Sequence, residues 1–234
     1  MLLRLFFGTC ALALFLVPLR AQTTIDEDQL GAWYMYFYNK SFGENSRFGL
    51  QGDFQYRNWN LGGDLEQLLL RSGLTYRPEN ANVLLTLGYA SITTGTFGDG
   101  DATSHENRIY QEALLPHKIT SRILLTHRFR YEQRWVEGQD PRTRYRYNLF
   151  VNVLLNQDEM GKGVLYAALY NELFINGQTD IGDGRTVQYF DRNRTYLGLG
   201  YGLTDGLRTQ LGWMRQTTTA WQKGQLQVSL HHAF

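Results

Sequence analysis

The residues most able to act on a solute are arginines spaced along extended segments of the chain. Nineteen of the 23 basic residues are arginine, and the four lysines fall in stretches expected to form turns or loops. A guanidinium group can hold a carboxylate or a phosphate through two parallel hydrogen bonds, which a lysine cannot do. A surface lined by such groups would hold carboxylates of the chain itself or attract anionic solutes.

These arginines share one face of the predicted strands with several carboxylates. We expect an inward charge network of Arg47, Asp53, Arg57, Arg122, Arg128, Arg130, Glu132, Arg134, Arg144, Arg146, Glu172, Arg192 and Arg194, joined by Arg71, Glu112 and Arg208. Arginines outnumber carboxylates in this set. Two interpretations stay open: a structural network that pairs charges across strands, or a basic lumen that attracts a carboxylate, phosphate or sulfate solute.

Nucleophilic catalysis has weaker support. Ser229 and His231 are two residues apart and so face the same way on a strand, while Ser104 adjoins His105 in a predicted loop. Neither pair has an acidic residue in evident register, which a serine–histidine mechanism would use to orient the base. The sequence therefore predicts no catalytic residue.

Metal and cofactor sites have no clear signature either. The histidines lack metal-ligand spacing, and two glycine-rich loops resemble only fragments of a calcium loop because they lack its terminal glutamate. Their aspartates are Asp99, Asp101, Asp180 and Asp183. We predict no metal site and no cofactor.

Several aromatic residues lie near the ends of predicted strands. They are Trp33, Tyr36, Tyr38, Trp59, Trp135, Tyr189 and Trp213. Aromatic rings at these places typically anchor a barrel at the two membrane interfaces. A stacked aromatic strip that binds sugar is the alternative.

Residues 1–21 have the features of a cleavable signal peptide. Arg4 precedes an apolar stretch from Leu5 to Leu19, and Ala21 supplies a small residue before Gln22. That stretch is shorter than the roughly 20 residues of a transmembrane helix. Cys10 is the only cysteine, so a mature chain of residues 22–234 would have no disulfide and no thiolate metal site. We expect an exported protein with one domain.

The mature chain alternates apolar and polar residues with a period of two. From Ile119 to Trp135, six of nine alternate residues are apolar and seven of the eight between them are polar. A helix would mix these two sets, whereas a strand sends them to opposite faces. The same pattern predicts strands at residues 30–38, 47–58, 66–77, 83–93, 105–115, 119–135, 143–155, 164–174, 188–203, 207–216 and 224–234.

Two architectures fit this alternation: a lipocalin-like barrel with an apolar interior and a membrane barrel with an apolar exterior. Most predicted strands have 10 to 17 residues, enough to cross a bilayer at a tilt, and arginines lie on strands while lysines lie in turns. The last strand has one apolar face and ends at Phe234. We predict an all-β, antiparallel up-and-down transmembrane β-barrel of about 10 to 12 strands.

The strand count poses a topological problem. Bacterial single-chain barrels have an even number of strands with both termini in the periplasm, whereas the pattern yields eleven. A strand has been missed, or the 105–115 strand is wrong, or the polar N-terminal segment threads the lumen. We prefer twelve strands.

The mature chain carries short motifs at residues 31–34 (GAWY), 106–111 (ENRIYQ), 171–174 (NELF) and 191–201 (DRNRTYLGLGY), and it ends at Phe234. These motifs resemble a family of exported outer-membrane barrels of unknown function common in Bacteroidetes-type bacteria. The resemblance implies a fold and a location but no activity or catalytic residues. The last strand also resembles the signal that the barrel insertion machinery reads.

These observations together predict a bacterial outer-membrane barrel with a narrow, arginine-rich polar lumen. We expect a structural role or passage of a small solute, with an anion as the favoured class. The alternatives are an outer-membrane lipid hydrolase and a sugar-binding or ligand-binding surface barrel. Outer-membrane lipid and the insertion machinery are the expected partners, and the near-neutral net charge of +1 does not favour nucleic acid.

Overall fold

The computed structural model describes residues 25–98 and 100–234, which form a single closed β-barrel. The expected signal peptide at residues 1–21 and Asp99 of the first glycine-rich loop lie outside the described residues. The barrel has eleven strands: β1 (Gly31–Ser41), β2 (Phe48–Asn58), β3 (Leu65–Tyr76), β4 (Leu84–Gly95), β5 (Thr103–Lys118), β6 (Ile123–Val136), β7 (Arg142–Leu154), β8 (Leu165–Asn176), β9 (Phe190–Gly202), β10 (Leu207–Thr217) and β11 (Gln222–Ala233).

The all-β class and the barrel are confirmed, and each of the eleven predicted strands corresponds to one in the structure. The largest difference lies between β5 and β6, where a turn is predicted at residues 116–118 but β5 continues through Pro116 to Lys118. Pro116 stands opposite Thr126 near the end of the strand pair, and its carbonyl accepts a hydrogen bond from Asn82 Nδ2 at 2.7 Å. A proline is tolerated there because few ladder hydrogen bonds remain to be lost.

The barrel closes by a parallel pairing. Consecutive strands pair antiparallel from β1 through to β11, and β1 then pairs with β11 in parallel, from Gly31 opposite Gln225 to Asn39 opposite Ala233. The expectation of a wholly antiparallel barrel is therefore wrong at this one seam. Eleven strands are joined by ten antiparallel steps, and an even number of such steps leaves the first and last strands pointing the same way, so the described residues need no twelfth strand.

The parallel seam places the two ends of the sheet at opposite ends of the barrel. We call the end where β1 starts the N-terminal rim and the end where β11 finishes the C-terminal rim. Residues 25–30 lie at the N-terminal rim, where Lys223 Nζ donates hydrogen bonds to the carbonyls of Asp26 and Gln29 at 2.6 and 2.5 Å. This part of the N-terminal segment sits at the rim and does not thread the barrel.

The two faces of the strands differ sharply in polarity. Outward positions on neighbouring strands carry exposed apolar side chains, among them Leu70, Leu87, Leu199 and Leu211, of which Leu70 is 44% exposed. Inward positions carry buried arginines, carboxylates, amides and aromatic rings. Within the described part of the chain no helix is long and apolar enough to cross a membrane.

Inward glycines make room for inward aromatic rings on neighbouring strands. The ring of Tyr166 lies where a side chain at Gly200 would stand, and the ring of Tyr196 lies over Gly198 and Gly212. A Cβ atom at Gly200 would come within 2.5 Å of Tyr166 Cε2. Glycine is therefore required along β9 because of packing against the rings.

Loop lengths differ little between the rims. The longest loop at the N-terminal rim spans residues 177–189, and the longest at the C-terminal rim spans residues 155–164. The expected alternation of long and short connections is therefore only slight.

Candidate functional site: the interior charge network

Two carboxylates, Glu132 of β6 and Glu172 of β8 on either side of β7, form the centre of the interior network. Glu132 Oε2 accepts from Arg144 Nη2 at 2.7 Å, and Glu132 Oε1 accepts from Arg146 Nη1 at 2.6 Å. Glu172 Oε1 accepts from Arg146 Nη2 at 2.5 Å and from Arg128 Nη2 at 2.7 Å. Arg146 thus joins the two carboxylates, and the charges of β6, β7 and β8 form one connected network.

More distant arginines share the same two carboxylates. Arg108 and Arg130 each have a nitrogen 3.9 Å from a carboxylate oxygen of Glu132, and Arg194 Nη1 lies 3.9 Å from Glu172 Oε2. Single carboxylates therefore serve several arginines at once, so loss of one carboxylate would leave several buried cations without a partner.

Further ion pairs extend the network toward both rims. Toward the N-terminal rim, Glu106 accepts from Arg108 Nε at 2.6 Å and from Arg134 Nε at 2.5 Å. On β2 and β3, Arg71 binds the carboxylate of Asp53 through Nε at 2.9 Å and Nη2 at 2.9 Å. Two-point pairs of this kind fix the guanidinium plane as well as its distance.

Glu112 and Asp191 complete the ion pairs. Glu112 pairs with Arg130, and Asp191 Oδ2 accepts from Arg144 Nη1 at 2.7 Å. Aromatic rings fill the space between the pairs: the Phe174 centroid lies 4.5 Å from Arg146 Cζ and 4.7 Å from Arg194 Cζ. Arginine faces stack well on such rings.

The network fills the cross-section of the barrel. Glu132 is 1% exposed, Arg144 3% and Glu172 3%. Buried inward side chains from all eleven strands surround them, including Trp33 of β1, Gln216 of β10 and Gln225 of β11. Side chains this inaccessible have no water-sized space beside them.

Most of the residues predicted for the network lie together in the barrel interior. They are Asp53, Arg57, Arg128, Arg130, Glu132, Arg134, Arg144, Arg146, Glu172, Arg192 and Arg194. Arg71 and Glu112 join them. Arg208 lies on β10 opposite His231, near the C-terminal rim, and is half-buried.

Two residues predicted for the charge network, Arg47 and Arg122, lie outside the barrel interior. Arg47 precedes β2 and pairs with Glu79 across the loops of the C-terminal rim. Arg122 precedes β6 and pairs with Asp158 at 2.5 Å, with side chains 52% and 61% exposed. Both expectations are wrong for the same reason. The two residues lie beyond the ends of the strands, in loops where the alternation of polar and apolar residues no longer determines whether a side chain points inward or outward.

The sequence pattern missed several interior charges. They are Glu66, Glu106, Arg108, Arg142, Asp191 and Lys223. Glu66 of β3 lies at a register shift opposite Arg57 and Asn58 of β2. Asp191 of β9 lies at a second register shift, opposite Phe174 and Ile175 of β8. Each shift interrupts the alternation of the strand and brings to the interior a residue that the pattern places outside. A bulge has no clear signal in one sequence.

The expectation that every lysine lies in a turn or loop is wrong for Lys40 in β1, Lys118 in β5 and Lys223 in β11. Lys223 is 1% exposed and faces inward beneath residues 26–29. Its charge is met by backbone carbonyls, so it closes the N-terminal rim.

The interior retains an excess of positive charge. Its arginines are Arg57, Arg71, Arg108, Arg128, Arg130, Arg134, Arg142, Arg144, Arg146, Arg192 and Arg194. Its carboxylates are Asp53, Glu66, Glu106, Glu112, Glu132, Glu172 and Asp191. Among the described residues, eleven guanidinium groups against seven carboxylates leave four positive charges unmatched, in addition to Lys223, whose charge is met by backbone carbonyls.

The serine–histidine pair on β11 also faces the interior. Ser229 Oγ lies 3.0 Å from His231 Nε2, and the His231 ring stacks on Phe37 at 4.8 Å. Ser229 is 4% exposed, and across the described chain no carboxylate hydrogen-bonds to His231. The pair therefore lacks both the accessible nucleophile and the orienting acid of a hydrolase.

Two tryptophans expected at membrane interfaces are buried. Trp33 lies inside the barrel at 2% exposure, and Trp59 packs against Phe97 and Trp221 at the N-terminal rim. Trp135 and Trp213 are exposed on the outer face. Of these four tryptophans, Trp135 and Trp213 therefore lie where the expectation placed them, and Tyr189 of the same expected set is also exposed.

The acidic glycine-rich loops lie at the N-terminal rim. Asp101, Asp180 and Asp183 are exposed, and Asp183 pairs with Arg185 at 3.2 Å. Among residues 25–98 and 100–234, no group of three or more metal-ligating side chains comes together.

Comparison with known proteins identifies a family. The profile of a family described as "Protein of unknown function (DUF2490)" matches residues 30–227, which include all but the last part of β11. No curated protein and no solved structure matches the chain.

Proposed function

The chain belongs to the family described as protein of unknown function (DUF2490), and since that description names no activity, we propose a function from the geometry. We propose that the protein is a bacterial outer-membrane β-barrel whose lumen is closed by the interior charge network and whose role is structural. The observation that carries this proposal is the inversion of polarity, with buried ions inside a closed barrel and exposed leucines and aromatics outside.

Physical chemistry favours lipid around this barrel. A water-soluble barrel buries its apolar face, whereas here Leu74, Leu87 and Leu197 are 59%, 59% and 60% exposed on the outer face. Closure satisfies every backbone hydrogen bond between strands, as a membrane requires. Export through the expected signal peptide would deliver the chain to the envelope.

The C-terminal strand favours one orientation of the barrel in the membrane. In our proposal Phe234 and the C-terminal rim face the periplasm, because the last strand resembles the signal read by the insertion machinery. The N-terminal rim, with residues 25–30 and the long loop at residues 177–189, then faces the outside of the cell.

A charge on the outer face tests the lipid environment. We expect Leu70→Arg, in the middle of β3, to lower the free energy of unfolding by about 2–4 kcal/mol, the cost of an arginine near the centre of a bilayer. The measurement is urea unfolding in liposomes, together with heat-modifiable gel mobility and outer-membrane fractionation.

The matched control is Leu155→Arg. Leu155 is 46% exposed, similar to Leu70, but lies in the loop at the C-terminal rim, so its replacement should change stability by less than about 0.5 kcal/mol. Equal tolerance of both variants would show that β3 faces water and would contradict a membrane barrel.

Passage of an anion is the second candidate function, favoured by the four unmatched positive charges of the interior. Planar-bilayer recording separates it from a closed structural barrel. We expect the wild-type protein to show no steady current, because the buried ion pairs of the network hold no continuous open channel. Anion-selective current that falls when Arg128, Arg130 and Arg144 are replaced together by glutamine would instead establish the passage.

A further inference from the structure

Two buried arginines place their guanidinium groups against the same indole ring. Cζ of Arg57 lies 3.8 Å, and Cζ of Arg194 4.7 Å, from the centroid of Trp33. The two arginines come from β2 and β9, and they are 4% and 5% exposed. They are thus two like charges held close together away from water.

Neutral amides surround these two cations. Arg57 donates to Gln55 Oε1 at 2.6 Å and to Gln67 Oε1 at 2.8 Å. Arg194 donates through Nε to Gln216 Oε1 at 2.6 Å. Neither of its Nη nitrogens has a hydrogen-bond acceptor among residues 25–98 and 100–234.

The nearest carboxylates already have other partners. Glu172 binds Arg128 and Arg146, and its 3.9 Å separation from Arg194 is too long for a hydrogen bond. Glu66 accepts from Trp33 Nε1 at 2.7 Å and from Gln225 Nε2 at 3.3 Å. Glu66 keeps its negative charge, because both of its donors are neutral, but neither Arg57 nor Arg194 has a carboxylate oxygen within hydrogen-bonding distance among the described residues. Two guanidinium charges thus share one nearby unpaired carboxylate.

This arrangement carries a large electrostatic cost unless negative charge is supplied from outside the chain. A guanidinium stays protonated in proteins, and a buried charge without a counter-charge is strongly unfavourable. Stacking on Trp33 offsets only part of that cost. The free donors of Arg194 are suited to bind an anion directly.

We propose that the barrel interior binds a small inorganic anion, of the halide or phosphate class, at the Arg57–Arg194 pair beside Trp33. The anion would act as a structural counter-ion. The site requires only the closed barrel and depends neither on the membrane nor on passage of a solute.

Bromide is the probe for the position of the anion. In crystals of the wild-type protein grown with bromide, we expect an anomalous difference peak within hydrogen-bonding distance of the Arg194 guanidinium. This measurement uses no variant, so it remains decisive even if a variant fails to fold. The absence of a peak beside Arg57 and Arg194 would overturn the proposal.

Thermal unfolding tests the site in solution. At constant ionic strength, replacing gluconate by chloride should raise the unfolding midpoint of the wild type saturably, because gluconate is too large for the filled interior. Arg194→Gln should lose this chloride-dependent rise, whereas Arg122→Gln, which removes an exposed arginine of a turn, should keep it. An equal rise in both variants would reduce the effect to general salt screening and overturn the assignment.

Discussion

Replacing Glu132 by glutamine is expected to destabilise the barrel by about 3–5 kcal/mol, the usual cost of removing one partner from a buried ion pair. Glutamine keeps the size of the side chain but removes the negative charge that Arg144 and Arg146 contact at 2.7 and 2.6 Å. The change also removes the counter-charge of Arg108 and Arg130, each of which has an Nη1 atom 3.9 Å from a carboxylate oxygen of Glu132. Denaturant unfolding in liposomes should show a midpoint shifted to lower denaturant concentration.

Glu159→Gln is the control for this experiment. Glu159 is exposed in the loop at the C-terminal rim, so the same chemical change there should alter stability by less than about 0.5 kcal/mol. If Glu132→Gln proved as mild as Glu159→Gln, the central carboxylate would not hold the interior together.

The second large effect concerns topology and is an all-or-none labelling result. In intact cells, a membrane-impermeant maleimide should label Asp28→Cys and Asp183→Cys but not Asp205→Cys. Asp28 precedes β1, and Asp183 lies in the loop at the same rim, whereas the exposed Asp205 lies between β9 and β10 at the opposite rim. The background is low because the sole native cysteine, Cys10, lies in the expected signal peptide.

The odd strand number makes this result diagnostic. In an even-stranded barrel, a residue just before the first strand lies on the same side of the membrane as the C-terminus, so Asp28 would behave like Asp205, which β10 and β11 separate from the C-terminus. Permeabilised cells supply the positive control for Asp205→Cys. Shared behaviour of Asp28 and Asp205 would contradict the parallel closure.

Strand positions could be predicted because their cause is local. On β6, Phe129 and Trp135 face out while Arg130 and Arg134 face in, and this contrast repeats every second residue of the printed sequence. β5 gave a weaker signal because its outward face also carries polar residues. Asn107 and Gln111 stand there, hydrogen-bonded to Tyr89 and Gln133 of the neighbouring strands.

The closing seam could not be predicted because nothing local encodes it. Gly31 and Gln225 are far apart in sequence, and the preference for an even number of strands is a regularity of known barrels rather than a physical requirement. Similarly, Glu66 and Asp191 reach the interior through register shifts that leave the composition of their strands unchanged. The pairing of each carboxylate with several arginines depends on distances across the barrel, which one sequence does not contain.

The parallel seam also forbids a rearrangement that most barrels allow. Joining the old termini and opening the chain at another turn makes a circular permutant, which needs only a short linker when both termini lie at one rim. Here Leu30 precedes β1 at one rim and Phe234 follows β11 at the other. With strands of 11 or more residues rising about 3.3 Å per residue at a tilt near 40°, the gap is roughly 25–30 Å. A linker would have to cross a filled interior or run along the apolar outer face, so the native order of strands is the only simple connectivity for this barrel.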